Sequence, residues 1–281
     1  MDNVNSEIRN PKSEIEKFAI CNSQFGIHKY AVEIANLWYA YPDGNKALSG
    51  LSLRITHGEK VALIGRNGAG KSTLLMHLNG VLRGNGKIVI DGLELTDKTV
   101  KEVRKKVGLV FQEPNEQLFC PTVFDDVAFG PLNLRFPKDE VRERVEMALK
   151  LVGLEGYEER ASFHLSIGEK KRVAIATVLS YSPEILAFDE PSSNLDPKHR
   201  RMLINWLKSV DKTLIVATHD LDLALEVCER CVVLNNGQTV TDGRSEEILR
   251  DEDLLEKNDL ELPLCLTACF EFSQKLVDNL S

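Results

Sequence analysis

The sequence predicts an α/β fold: a mixed, mainly parallel sheet, an antiparallel β side sheet and an inserted helical subdomain. Three observations predict it. Short continuous apolar runs, Val61–Ile64, Val107–Phe111, Ile185–Phe188 and Leu214–Ala217, suit strands buried on both faces, and helical stretches alternate with them. Leu51, Leu53 and Ile55 alternate with polar residues, the pattern of a half-exposed strand in a side sheet. Between the strand runs, Val141, Val145, Ala148, Leu149 and Val152 fall on one helical face, with Pro137 before it and Gly153 closing it.

Taken in chain order, residues 1–31 are polar and weakly patterned, and Ser6-Glu7-Ile8 recurs at Ser13-Glu14-Ile15. A poorly ordered extension is expected there. Residues 32–245 are expected to form the folded domain, with the helical subdomain at about 113–165. Residues 246–281 form a helical tail, opening with the acidic segment Glu246–Leu255 and continuing through Leu260-Glu261-Leu262-Pro263-Leu264.

The 281 residues are 43% hydrophobic and 28% charged, with a formal net charge of −8. That balance builds a substantial core and argues against general attraction to nucleic acid or anionic lipid. No apolar run reaches the roughly 18–20 residues that cross a bilayer, and the N-terminus lacks a secretory pattern. A cytoplasmic protein is expected, and any membrane role requires partner subunits. The six cysteines are expected to be reduced. Cys228-Glu229-Arg230-Cys231 with Cys265 and Cys269 has the makings of a four-thiolate zinc site. The plainer reading makes Cys228 the end of a helix and Cys231 the start of a strand.

Gly65-Arg66-Asn67-Gly68-Ala69-Gly70-Lys71-Ser72 matches the phosphate-loop pattern G-x-x-x-x-G-K-[ST] in full, between an apolar strand and a helix start at Thr73. Glycines let backbone N–H groups close around phosphate oxygens, and a helix N-terminus adds favourable partial charge. Lys71 is suited to neutralise β- and γ-phosphates, Ser72 to ligate Mg²⁺, and Thr73 to reach the α-phosphate. This makes the sheet a P-loop NTPase core. Ile185–Phe188 ends in Asp189 and Glu190. Asp189 is placed to hold Mg²⁺ through water, and Glu190 to polarise an attacking water as general base.

Beyond these, the order of motifs resembles the ABC ATPase family over about residues 32–245. The resemblance rests on Gln112 after the strand run, Leu165-Ser166-Ile167-Gly168-Glu169 for the LSGGQ signature, Ser193-Asn194-Leu195-Asp196 for the D-loop, His219 for the switch histidine, and Tyr41 placed 24 residues before Gly65. Read singly, Gln112 is a surface amide, His219 a structural histidine, Tyr41 a core or turn aromatic, and Ser166 a helix cap. The resemblance implies more. Tyr41 would lie against adenine, and Gln112 would couple Mg²⁺ to a transmembrane contact. His219 would hold γ-phosphate and water in line. Ser166 and the N–H of Gly168 would face the nucleotide of a second subunit, and Asp196 would connect the two sites.

Two departures stand out. Ile167 replaces a glycine, implying conventional backbone because β-branched residues resist positive φ. Glu169 replaces glutamine and brings negative charge near a triphosphate if it points inward. The expectation is a functional but weaker signature.

Residues Gln112–Phe119, Pro121–Val123 and Asp126–Asn133, with the helix after the signature and the Leu260–Pro263 tail, are similar to the cobalt/nickel importer and energy-coupling-factor ATPases. That implies ATP and Mg²⁺ as cofactors and peripheral attachment at the cytoplasmic face. It also implies a second ATPase subunit, identical or not, and transmembrane coupling and substrate-binding subunits, with no nucleic acid. The cargo would be a transition-metal ion or a vitamin. A soluble ABC ATPase of DNA repair or translation is the alternative, and a non-hydrolysing regulatory module a third; Lys71, Glu190 and His219 argue against the last.

Overall fold

Among the described residues, ten strands in two sheets carry the fold. The computed structural model describes residues 29–267. Strands β1 (Tyr30–Ala40), β2 (Lys46–Thr56), β4 (Asn85–Ile90) and β5 (Leu93–Glu94) form an antiparallel sheet in the order β2-β1-β4-β5. The larger sheet contains β3 (Lys60–Ile64), β6 (Val107–Val110), β7 (Ile185–Asp189), β8 (Thr213–Ala217), β9 (Arg230–Asn235) and β10 (Gln238–Arg244), ordered β10-β9-β3-β8-β7-β6. All its pairs are parallel except β10 with β9.

The apolar runs make the larger sheet the divider between two cores. Strand side chains alternate direction. Val61, Leu63, Ile215, Ala217, Ile185 and Ala187 therefore pack toward the antiparallel sheet and helix α1 (Lys71–Leu78). Ala62, Ile64, Leu214, Val216, Leu186 and Phe188 pack toward the helices on the other face. In the side sheet, Leu51, Leu53 and Ile55 are buried while Ser52 and Arg54 between them are exposed, as the alternation predicts.

Short α2 (Val100–Lys106) leads into β6. Helices α3 (Val123–Asn133), α4 (Lys138–Leu151) and α5 (Ile167–Leu179) pack on one another beside the sheet. Val141, Val145, Ala148 and Leu149 are the buried face of α4; Gly153, at φ 69°, follows its end, and Leu154 donates back to the carbonyl of Leu149 at 2.8 Å. Helices α6 (Pro197–Ser209), α7 (Leu221–Val227), α8 (Ser245–Ile248) and α9 (Glu252–Glu256) follow, and residues 264–267 are again helical at the end of the described residues. Among the described residues no helix is long and apolar enough to cross a membrane.

Three expectations change, and the plainer reading of the cysteines holds, with Cys228 ending α7 and Cys231 near the start of β9. Strand β1 begins at Tyr30, so the fold starts before residue 32; the rest of the proposed extension, residues 1–28, lies outside the described residues. The run Val107–Phe111 ends at Val110 and forms the sheet's edge strand, kept fully buried because α2 and α5 pack against it. The acidic segment Glu246–Leu255 is two short helices, because the Asp251 side chain accepts the Leu254 N–H and starts α9 afresh. Cys228 and Cys231 are buried in the core, where desolvation raises both thiols, Cys231 to about 12; such thiols resist the thiolate form a zinc site requires. Cys269 lies outside the described residues.

Candidate functional site

Parallel pairing brings the carboxyl ends of β3, β8 and β7 together, the position where open α/β sheets build sites. Leu63 and Asp189 both pair with Ala217 in register. Gly65, Thr218 and Glu190, each just past a strand end, therefore meet at one rim.

Gly65 to Ser72 curl from β3 into α1. Gly70 caps the helix in left-handed conformation, φ 105°, without a side-chain hydrogen bond, and the first turn carries no acid. The first N–H groups of α1 are thus left to an incoming anion. The loop rests on Gly237, whose N–H donates to Ala69 O at 3.1 Å. Lys71 is 7% exposed, and its ammonium donates to the carbonyls of Gly65 (2.6 Å) and Arg66 (3.1 Å). Burial lowers its pKa, opposed by the charges of Glu190 and Asp189.

The acids at the end of β7 sit beside that ammonium. Asp189 is 4% exposed; burial raises its carboxyl, with a hydrogen bond from Ser72 opposing the shift. Its Oδ1 is buried without a partner. A buried lone oxygen next to a serine hydroxyl is a donor set suited to a hard cation such as Mg²⁺. Glu190 takes a left-handed backbone, φ 47°, unusual for a residue with a side chain. Its carboxylate accepts from the His219 N–H (3.0 Å) and the Thr218 hydroxyl (3.0 Å), and lies 2.8 Å from His219 Nδ1. The ring of His219 remains exposed. The rim thus unites a phosphate loop, a cation-ready oxygen pair and a positioned carboxylate.

Other candidate residues stand around it. The Tyr41 hydroxyl is 3.0 Å from Thr73 Oγ1, so both hydroxyls engage each other. The Arg66 guanidinium is spent on Asn236 and, through an ion pair, on Asp259 in the tail; only its backbone joins the loop around Lys71. Asn67 and Gly68 form the exposed crest and Ala69 is buried beneath it. Gln112 is exposed at the end of β6. Asp196 caps α6 through the His199 N–H at 3.1 Å. Ser166 caps α5, where its partner is Glu169. A Cβ on Gly168 would meet the Asn194 carbonyl at 3.0 Å, which ties the signature to the D-loop.

Ile167 is the first residue of α5, in ordinary helical backbone and 41% exposed. A glycine there costs at most about 1 kcal/mol of helix stability. Ile167→Gly is expected to leave unchanged or raise the ATP turnover that the resemblance implies, measured with the companion subunits it implies; a collapse of that rate would show that the isoleucine itself is needed.

Sequence reasoning missed two residues. Thr218 is fully buried with its hydroxyl on Glu190. Lys171 is also fully buried; its ammonium donates to the carbonyls of Phe111 (3.1 Å), Gln112 (2.8 Å) and Asp189 (3.2 Å). Burial pushes its pKa down to about 8 against the pull of Asp189, Glu190 and Glu113. In sequence it is one of three consecutive cations and reads as solvated; the only signal was its place beside the signature.

Known proteins resemble this chain in sequence and in fold. The sequence profile described as ABC transporter matches residues 48–193. A putative ABC transporter ATP-binding protein of Gloeobacter violaceus is 54% identical over 236 residues, covering 83% of this chain and 97% of that protein. The energy-coupling factor transporter ATP-binding protein EcfA of Carboxydothermus hydrogenoformans is 50% identical over 250 residues, covering 88% and 92%. Among solved structures, cbiO1 of Clostridium perfringens, part of the ABC transporter complex cbiONQ, is 38% identical with a TM-score of 0.70, covering 82% of this chain and 94% of that one. The dimeric ATP-binding cassette MJ0796 in a post-hydrolysis state with ADP and Pi is 30% identical with a TM-score of 0.71, covering 76% and 98%.

Proposed function

The chain belongs to the ABC transporter family as an ATP-binding, ATP-hydrolysing subunit, and from that premise we propose that it energises a membrane importer of the cobalt/nickel or energy-coupling-factor type. The relatives' names support this reading, as do the tail and the segment after Gln112. The cargo is a transition-metal ion or a vitamin, with the metal favoured. Partners are a second ATPase subunit, a transmembrane coupling protein and a substrate-binding membrane protein, which hold the chain at the cytoplasmic face. Phe119 and Phe129, exposed and stacked edge to face at 4.9 Å, offer the coupling protein an apolar surface.

The observation that carries the chemistry is the partnerless buried oxygen of Asp189 beside Ser72 and Lys71. Ser72, Asp189 and Gln112 would hold Mg²⁺, which when bound neutralises charge developing on the phosphates. The α1 N–H groups and Lys71, turned from the loop carbonyls, bind the terminal phosphates. Tyr41 carries the adenine, with Thr73 beneath it at the α-phosphate. Glu190 takes a proton from the attacking water, and His219 holds water and γ-phosphate in line. Ser166, Gly168 and Asp196 serve the nucleotide of the second ATPase subunit.

Calorimetry tests this. ATP with Mg²⁺ is expected to bind the intact chain, and Lys71→Ala to weaken binding at least tenfold. An intact chain with no ATP affinity, or a variant binding equally well, would overturn the site. Co-purification from membranes, with identification of companion proteins, tests the importer assignment.

A further inference from the structure

The signature's glutamate does not point away from the signature serine; it occupies it. Glu169 Oε2 accepts the Ser166 N–H at 2.9 Å and the Ser166 hydroxyl at 2.7 Å, while Ser166 Oγ accepts the Glu169 N–H at 3.3 Å. Oε1 is pinned by the Tyr157 hydroxyl at 2.9 Å. This is a reciprocal capping box at the start of α5.

A serine hydroxyl has one proton. Given to Glu169, it cannot be given to a phosphate oxygen, which only accepts. The Ser166 bonds hold the Glu169 carboxyl below its ordinary value, so the acceptor is charged at neutral pH and grips more strongly than a neutral amide would. Ser166 is exposed, so a second subunit's nucleotide can reach it. Phosphate must then compete with a carboxylate for the same proton and meet that carboxylate's negative charge.

We propose that Glu169 acts as a latch on the signature: by holding the Ser166 hydroxyl it weakens this chain's grip on the ATP bound by its partner subunit. The proposal rests on the nucleotide reading above and deepens it by naming Glu169 as the positioning residue that sets how tightly two ATPase subunits close.

The test uses the full chain carrying Glu190→Gln, so that ATP persists. ATP-dependent dimerisation is measured by sedimentation, and ATP affinity of the monomer by calorimetry, with and without Glu169→Gln and Glu169→Ala. Both variants are expected to tighten the ATP-dependent dimer about fivefold or more, and to leave monomer ATP affinity unchanged. A glutamate that only capped the helix would give the opposite sign with alanine, which removes the cap. Unchanged or weakened dimerisation with ATP still bound overturns the latch and spares the nucleotide site. Failure of the parent to bind ATP overturns both.

Discussion

Glu190→Gln is expected to lower ATP turnover by about 10²- to 10⁴-fold, the range general-base assistance supplies, while ATP binding persists. The substitution keeps size and removes only the ability to take a proton. The carboxylate accepts from the His219 backbone N–H and the Thr218 hydroxyl and lies 2.8 Å from His219 Nδ1. An amide can keep one of those acceptor positions, so the strained turn at φ 47° has what it needs to persist. The phosphate loop keeps its contacts, with the Lys71 ammonium on the carbonyls of Gly65 and Arg66, and loses only the neighbouring charge of Glu190. Phosphate-release kinetics and nucleotide calorimetry on the same sample check both halves. Turnover within fivefold of the parent would remove Glu190 from the base position, and loss of ATP affinity would mean that the substitution had deformed the loop.

Gly70→Ala is expected to damage both stability and nucleotide binding, and a second glycine separates the causes. At Gly70 (φ 105°) a Cβ would lie 2.6 Å from the Ala47 carbonyl and 3.1 Å from a Leu48 methyl. Left-handed backbone costs a non-glycine residue roughly 1–2 kcal/mol, and overpacking adds typically 1–3 kcal/mol. Gly58 (φ 75°) is left-handed too, but its Cβ would meet nothing within 4 Å. Gly58→Ala should therefore lower Tm by only the backbone share, at roughly 2–4 °C per kcal/mol for a chain of this size class. Gly70→Ala should lower it about twice as far and weaken ATP binding at least tenfold, because the loop must shift where it meets α1. Equal Tm losses in the two variants would mean that the Ala47 contact yields freely.

Strands β3, β6, β7 and β8 were legible because burial on both faces demands unbroken apolar runs; β10, whose side chains alternate between exposed and half-buried, carries no such run. The acidic tail was misread because Asp251 caps a helix with the same carboxylate that, in a run of acids, reads as more helix surface. Gly65–Ser72 was legible because its chemistry is contiguous. Lys171 and Thr218 were not, because what distinguishes them is which carbonyls and carboxylates the fold brings around them. Glu169 was visible as a departure, yet only its side-chain direction revealed that it closes on Ser166 rather than reaching outward.

The three carbonyls gathered by Lys171 make one ammonium the hub of a linkage. Its bonds run to the end of β6, to the loop at Gln112 and to the root of the acid pair on β7. Hydrogen bonds of about 3 Å tolerate only a few tenths of an ångström of stretch before they fail. Displacing the start of α5 therefore strains all three contacts at once, so a single ammonium ties that helix to Gln112 and to the root of Asp189.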